Sequence, residues 1–175
     1  RSSDLYGLTK ANEISKYKGY ARFESIQNNF SLLNPRFHDE LANVCRLENI
    51  SLLPYSPMAG GVLSGKYCGG FYPEGSRFAT YLKESNKRVQ AMAHRFVNER
   101  TLEATKKYLE LSKEYEVSPV TLAISYSKHF DFVASTIVGA RKIEQLDDSF
   151  KAFDFKISSE LLKKIEIIQK NILYP

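Results

Sequence analysis

The chain has 175 residues, 43% of them hydrophobic, and a formal net charge of +5 from 25 Lys and Arg against 20 Asp and Glu. That size suits one ordinary globular unit, and with no long apolar run and no basic-plus-apolar leader it is expected to be soluble and cytoplasmic, with no membrane segment. The cations are interleaved with carboxylates in stretches such as KANEISKYK and TKKYLELSKE, the pattern of solvated helix faces, which argues against a nucleic-acid partner.

LYGLTKANEISKYKG predicts a helix that closes at Gly19. FESIQ (23–27) is short and alternating and predicts a strand; NNFSLLNP predicts a loop, from which Pro35 opens a helix through RFHDELANVCRLEN. ISLLP is the second predicted strand, followed by a long loop rich in Gly, Pro and Ser from Tyr55 to about Asn86. A helical region then runs from about Lys87 to Tyr115, and Ser118-Pro119 caps and starts the next helix, VTLAISYSKHF. VASTIV (133–138) predicts a third strand, GARKIEQLDDSF turns from it into a helix, and Ser158 or Ser159 caps the last helix, ELLKKIEIIQKNIL. Strands separated by helices predict an α/β fold with parallel strands. All three strands end in polar or glycine-containing segments, QNN, YSPMAGG and GARK, and in such folds these C-terminal ends form the ligand-binding face.

Each of these ends carries groups suited to an anionic, planar ligand. Tyr55 is either a half-buried core aromatic or a platform for a ligand ring. Behind it Gly60, Gly61 and Gly65 allow backbone amides to face phosphate oxygens, and Lys66 adds a point charge, without any GxGxxG fingerprint. Gln27 and Asn28 offer amides that satisfy either loop backbone or a ligand carboxamide. Gly139 permits a tight turn, and Arg141 and Lys142 precede a helix N-terminus, where a phosphate is favoured. Gln145 and Asp148 share a face of that helix. The histidines His38, His94 and His129 stand apart from metal-type partners, Cys45 and Cys68 lack ligand spacing and are expected to be reduced thiols, and no catalytic triad or carboxylate pair can be assembled.

Taken together, IQNNFSLLN, LLPYSPMAGGVLSGKY, YPEGSRF, SPVTLAISY and STIVGARKIEQLDDSF resemble the aldo-keto reductases, especially bacterial-type reductases similar to potassium-channel β subunits. The resemblance implies an α/β fold that is the C-terminal part, about strands 6–8 with their helices, of a (β/α)8 TIM barrel. Residues 1–175 are then a single unit, the C-terminal half of the barrel, and are not expected to be a complete domain alone. It further implies NADPH as cofactor, with Gln27 at the nicotinamide carboxamide and Tyr55 stacked on the nicotinamide ring. Ser56, Pro57, Met58, Ala59, Gly61, Leu63, Ser64, Gly65 and Lys66 would wrap the pyrophosphate, with Arg77 covering it or the adenosine phosphate. Gly139, Arg141, Gln145, Asp148 and Ser149 would hold the adenosine half; the family usually has Asn where Ser149 stands.

By the same resemblance the function is NADPH-dependent reduction of aldehydes or ketones, the alternative being a non-catalytic NADPH-binding or regulatory protein similar to the channel subunits. The family's catalytic Asp, Tyr, Lys and His come from the first four strands, so no catalytic residue and no metal is expected here. The expected partners are a small carbonyl substrate and an N-terminal half of the barrel. Arg1-Ser2-Ser3 falls at or just after the family's Ser-Asn contact to the carboxamide. Phe71, Tyr72, Phe78 and Tyr81 offer either an aromatic substrate wall or packing on the barrel rim.

Overall fold

The computed structural model describes residues 5–175, so Arg1-Ser2-Ser3 lies outside the described residues. Helix α1 (Leu5–Lys18) ends as expected at Gly19, whose φ of +67° is a left-handed closure that favours glycine. Strand β1 (Ser25–Asn29) begins two residues later than FESIQ. The helix expected from Pro35 is divided into a 3₁₀ turn (Arg36–His38) and α2 (Leu41–Glu48), because Glu40 between them leaves the helical region at φ −132°. Strand β2 (Ser51–Tyr55) follows.

The predicted long loop holds two further elements, a 3₁₀ segment (Ala59–Ser64) and α3 (Arg77–Lys83). The start of α3 is fixed by Ser76, whose Oγ accepts a hydrogen bond from the Ala79 N–H at 3.4 Å. The helical region after it is two helices, α4 (Lys87–Phe96) and α5 (Glu99–Glu114). Asn98 separates them: its side chain accepts from the Thr101 N–H at 3.1 Å, while Thr101 Oγ1 accepts from the Asn98 N–H at 3.0 Å. Helices α6 (Pro119–Lys128), α7 (Glu144–Asp154) and α8 (Ser159–Asn171) complete the chain, with Ser118 and Ser158 as N-caps of α6 and α8.

The fold is α/β. Strands β1 and β2 are parallel, in register from Ser25 opposite Ser51 to Asn29 opposite Tyr55. The expected third strand is reduced to a single parallel bridge, Leu52 to Val133. There the Leu52 N–H donates to the Phe132 carbonyl at 2.7 Å and the Ala134 N–H to the Leu52 carbonyl at 3.0 Å. The next rung of such a ladder needs an N–H from residue 54, and Pro54 has none. The Pro54 carbonyl instead accepts from Ile137 at 2.8 Å, one residue out of step, so the ladder stops.

One face of this small sheet, with Ile26, Leu52 and Pro54, is buried; the other, with Gln27 and Tyr55, is exposed. Ile26 and Leu52 of the buried side belong to one core cluster with Tyr108 of α5, Leu122 of α6, and Leu161 and Ile165 of α8. Leu32, in the loop after β1, is the tie between layers: its carbonyl accepts from Tyr108 Oη at 3.0 Å and from Gln169 Nε2 at 3.3 Å, and Gln169 also donates to Tyr126 Oη at 3.0 Å. Burial holds the Tyr108 and Tyr126 hydroxyls well above the ordinary phenol pKa, so both are structural donors and acceptors.

Beside them Phe30, Phe37, Tyr126, Phe130 and Phe132 form an aromatic cluster that also takes in His38, whose ring stands edge-on to Phe130 at 4.2 Å. Burial lowers the His38 pKa below its ordinary 6.5, helped by Arg46 and opposed by Asp39, Asp131 and Glu166. A depressed histidine stabilises the fold while neutral in both states. Stability is therefore expected to be level above the unfolded pKa, near 6.5, and to fall as pH drops below it towards the folded pKa. His38→Gln should flatten that slope in urea melts run across the interval; an unchanged slope would assign it to other groups.

Candidate functional site

Beyond β2 the backbone enters a run of left-handed conformations: Ser56 at φ 57°, Ala59 at 48°, Gly60 at 68°, Gly61 at 96° and Gly65 at 80°. For Ser and Ala this region is strained, by the order of 1–3 kcal/mol per residue, and such strain is concentrated at functional sites. At Gly61 the missing side chain has a specific use. A Cβ there would stand 2.8 Å from Lys66 Nζ, so glycine is what lets the ammonium fold back over the turn. The amides of Gly61 and Gly65 do not face outward as the spacing suggests. They donate within the turn, to the Met58 carbonyl at 2.8 Å and the Val62 carbonyl at 2.9 Å. Ser64 Oγ donates to the Gly61 carbonyl at 2.8 Å and completes the knot.

This turn is one wall of a cleft of about 960 Å³, at the upper end of the size usual for small-ligand sites. Three stretches far apart in sequence converge on it. Ser56, Pro57, Met58, Gly60, Gly61, Ser64 and Lys66 come from the turn, Gly75, Ser76 and Arg77 from the start of α3, and Gly139, Arg141, Lys142, Gln145, Asp148 and Ser149 from the approach to α7. Twelve of the seventeen sequence-predicted residues thus line one cavity.

The other five stand elsewhere. Ala59 and Leu63 are part of the core, at 5% and 1% exposure. Gly65 backs onto Leu109, where a Cβ would meet Cδ1 at 2.7 Å, so it packs the turn against α5. Gln27 and Tyr55 are outside the cleft lining, on the exposed face of the sheet. Of the aromatic residues offered as a substrate wall, Phe78 is buried against Tyr67 and Phe96, whereas Phe71 is exposed.

Hydrogen bonds tie the walls of the cleft to one another and to α6. Arg141 Nη1 donates to the Gly75 carbonyl, joining the approach to α7 with the loop before α3. The Arg141 N–H donates to Gln145 Oε1 at 2.9 Å, and Thr121 Oγ1 of α6 donates to the Asp148 carbonyl at 2.8 Å. The charge is unbalanced. Lys66, Arg77, Arg141 and Lys142 line the cleft against Glu144 and Asp148, and Asp148 is already paired with Lys151 at 3.0 Å. Among the described residues none of the four cations is in an ion pair. A concave site whose four cations are outside any ion pair among the described residues, with the start of α7 beside them, fits a ligand with more than one phosphate.

Sequence reading missed the apolar floor, Val120 and Ile124 of α6 with Ile137 and Val138. Val120 and Ile124 are four apart in SPVTLAISY and so share a helix face, but they are indistinguishable in sequence from core positions. Among the described residues no cluster of His, Cys, Asp and Glu suits a metal ion, and no helix is long and apolar enough to cross a membrane.

The model of the aldo/keto reductase family matches residues 4–170. The chain is 29% identical over 170 residues to the Escherichia coli "Protein tas", covering 97% of this chain and 46% of that protein. It is 29% identical over 139 residues to a "Putative voltage-gated potassium channel subunit beta" of Schizosaccharomyces pombe, covering 78% of this chain and 39% of that one. It is 30% identical over 143 residues to the Escherichia coli "L-glyceraldehyde 3-phosphate reductase", covering 80% and 40%. The chain spans about half the length of the curated relatives it matches. With the family model spanning nearly all of its residues, the chain belongs to the aldo/keto reductase family.

Proposed function

We propose that this chain is the NADPH-holding part of a cytoplasmic oxidoreductase that reduces aldehydes or ketones. One observation carries the reading: the glycine turn after β2, the start of α3 and the approach to α7 build a single cleft lined by four unpaired cations. Lys66, Arg77, Arg141 and Lys142 would neutralise the cofactor phosphates, Val120, Ile124 and Val138 would bed the adenosine, and Ser149 and Gln145 would offer it hydrogen bonds. Tyr55 and Gln27 lie on one open sheet face, where a nicotinamide ring and its carboxamide would meet an aromatic surface and an amide. When bound, NADPH supplies the hydride that reduces a carbonyl carbon.

The cleft lining contains no Tyr, His or Cys, so the proton for the carbonyl oxygen would come from outside it. In this reading β1, β2 and the Val133 segment are about strands six to eight of a (β/α)8 barrel. The exposed face with Gln27 and Tyr55 would be its interior, and an N-terminal half would cover it and bring the catalytic groups. A regulatory, non-catalytic NADPH-binding role is the second reading, favoured by the match to a protein named as a potassium channel subunit. Assay of the full-length gene product with a reactive aldehyde separates the two: aldehyde-dependent oxidation of NADPH supports the reductase, and saturable binding with no oxidation supports the regulatory reading.

A further inference from the structure

The chain's positive charge is concentrated. Between Lys83 and Arg100 stand five cations, Lys83, Lys87, Arg88, Arg95 and Arg100, against two carboxylates, Glu84 and Glu99. That surplus of three is over half of the net charge of +5 carried by the whole chain. Helix α4 organises much of it. Successive residues of a helix turn by about 100°, which places His94, Lys87, Ala91, Arg95, Arg88 and Met92 in one continuous arc of roughly 160°. All six are exposed. The opposite arc carries Val89, Ala93 and Phe96, which face inward as α4 packs on α3 and on the 59–64 turn, with Phe96 stacked on Phe78 at 5.4 Å. Among the described residues Lys83, Lys87, Arg88 and Arg95 form no ion pair.

We infer that this outward face of α4 is a docking surface for a short acidic segment of a partner protein. Charge complementarity selects an anion, and the surroundings of the stripe select its kind. Anionic lipid attracts a basic stripe and holds it firmly when an apolar face inserts as well, and the apolar face of α4 is occupied inside the protein, which leaves only the electrostatic part. A nucleic acid runs past its contacts as a continuous polyanion, whereas the exposed cations of α4 are confined to residues Lys87 to Arg95. From Lys87 to Arg95 the helix rises about 12 Å, which two or three turns of a partner helix with carboxylates four residues apart would match. Met92 at the edge of the arc, 45% exposed, adds an adaptable apolar contact beside the charges. The inference does not depend on the cofactor reading, since the stripe is separate from the cleft lining.

The test uses the full-length protein and a fluorescent helical peptide with glutamates at every fourth position, followed by anisotropy at low and physiological ionic strength. The triple variant K87E/R88E/R95E should weaken peptide binding at least tenfold, whereas Lys16→Glu with Lys163→Glu, on α1 and α8, should leave it within twofold. K87Q/R88Q/R95Q should fall between them and guards against misfolding of the reversed variant. A short single-stranded DNA and phosphatidylserine vesicles should bind the wild type more weakly than the peptide does. Equal peptide binding by the α4 and control variants would overturn the inference, as would DNA or vesicles that bind more tightly than the peptide and lose that binding in the α4 variant.

Discussion

Replacing Arg141 and Lys142 together by alanine is expected to weaken NADPH binding by about 1–3 kcal/mol, roughly 5- to 150-fold in Kd, and to leave NADH nearly unaffected. Only NADPH carries the additional phosphate, and both cations precede the start of α7 in the cleft wall. The two side chains are not equivalent. Among the described residues the Lys142 ammonium makes no hydrogen bond or ion pair, whereas the Arg141 guanidinium also holds the Gly75 carbonyl. Lys142→Ala alone should therefore discriminate between the cofactors most cleanly. Arg141→Ala should lose part of its effect on both, because it also releases the loop before α3. Titration of each variant with each cofactor checks this, and equal losses for NADPH and NADH in Lys142→Ala would show that the residue does not meet the phosphate.

Phe30→Ala should be the most damaging single change to stability, costing about 3–5 kcal/mol. Phe30 is fully buried and touches five rings: Tyr126, Phe130 and His38 at 5.5 Å, Phe132 at 5.7 Å and Phe37 at 6.2 Å. Truncation leaves a cavity that this stacked cluster cannot close without disturbing α6 and the turn after β1. Phe30→Leu, which keeps most of the volume, should cost well under half as much. Urea unfolding of the full-length protein measures both, and a loss below about 1 kcal/mol for Phe30→Ala would mean that the cluster repacks freely.

Much of this was legible in the residues because the signals were local. Ser118-Pro119 and Ser158 announce their helices by cap chemistry, and Gly19 its helix end by the conformation it alone adopts cheaply. The spaced glycines after Tyr55 mark an unusual stretch of backbone beside a lysine, but the Gly61 and Gly65 amides expected to face phosphate donate inside the turn, and the left-handed path that turns them is not written in the spacing. What the residues hid was non-local. VASTIV has the composition of a strand, but whether it pairs depends on the N–H that Pro54, eighty residues earlier, cannot supply. Ala59 and Leu63 sit in a motif of ligand-binding residues, yet the turn that carries them buries both in the core. Ser76 and Asn98, read as loop and helix interior, are N-caps, because their partners are backbone amides three residues on. The apolar floor of the cleft is written in the same alphabet as the core, and only the fold separates the two.

The most direct measurement of the central claim is a crystal structure of the full-length protein grown with NADPH. The pyrophosphate is expected between the turn of residues 56–66 and Arg77, the adenosine phosphate at Lys142, and the nicotinamide ring over the sheet face that carries Tyr55 and Gln27. NADPH bound at another surface, with this cleft open and Lys66, Arg77, Arg141 and Lys142 making no contact to it, would show that the cleft is not the cofactor site.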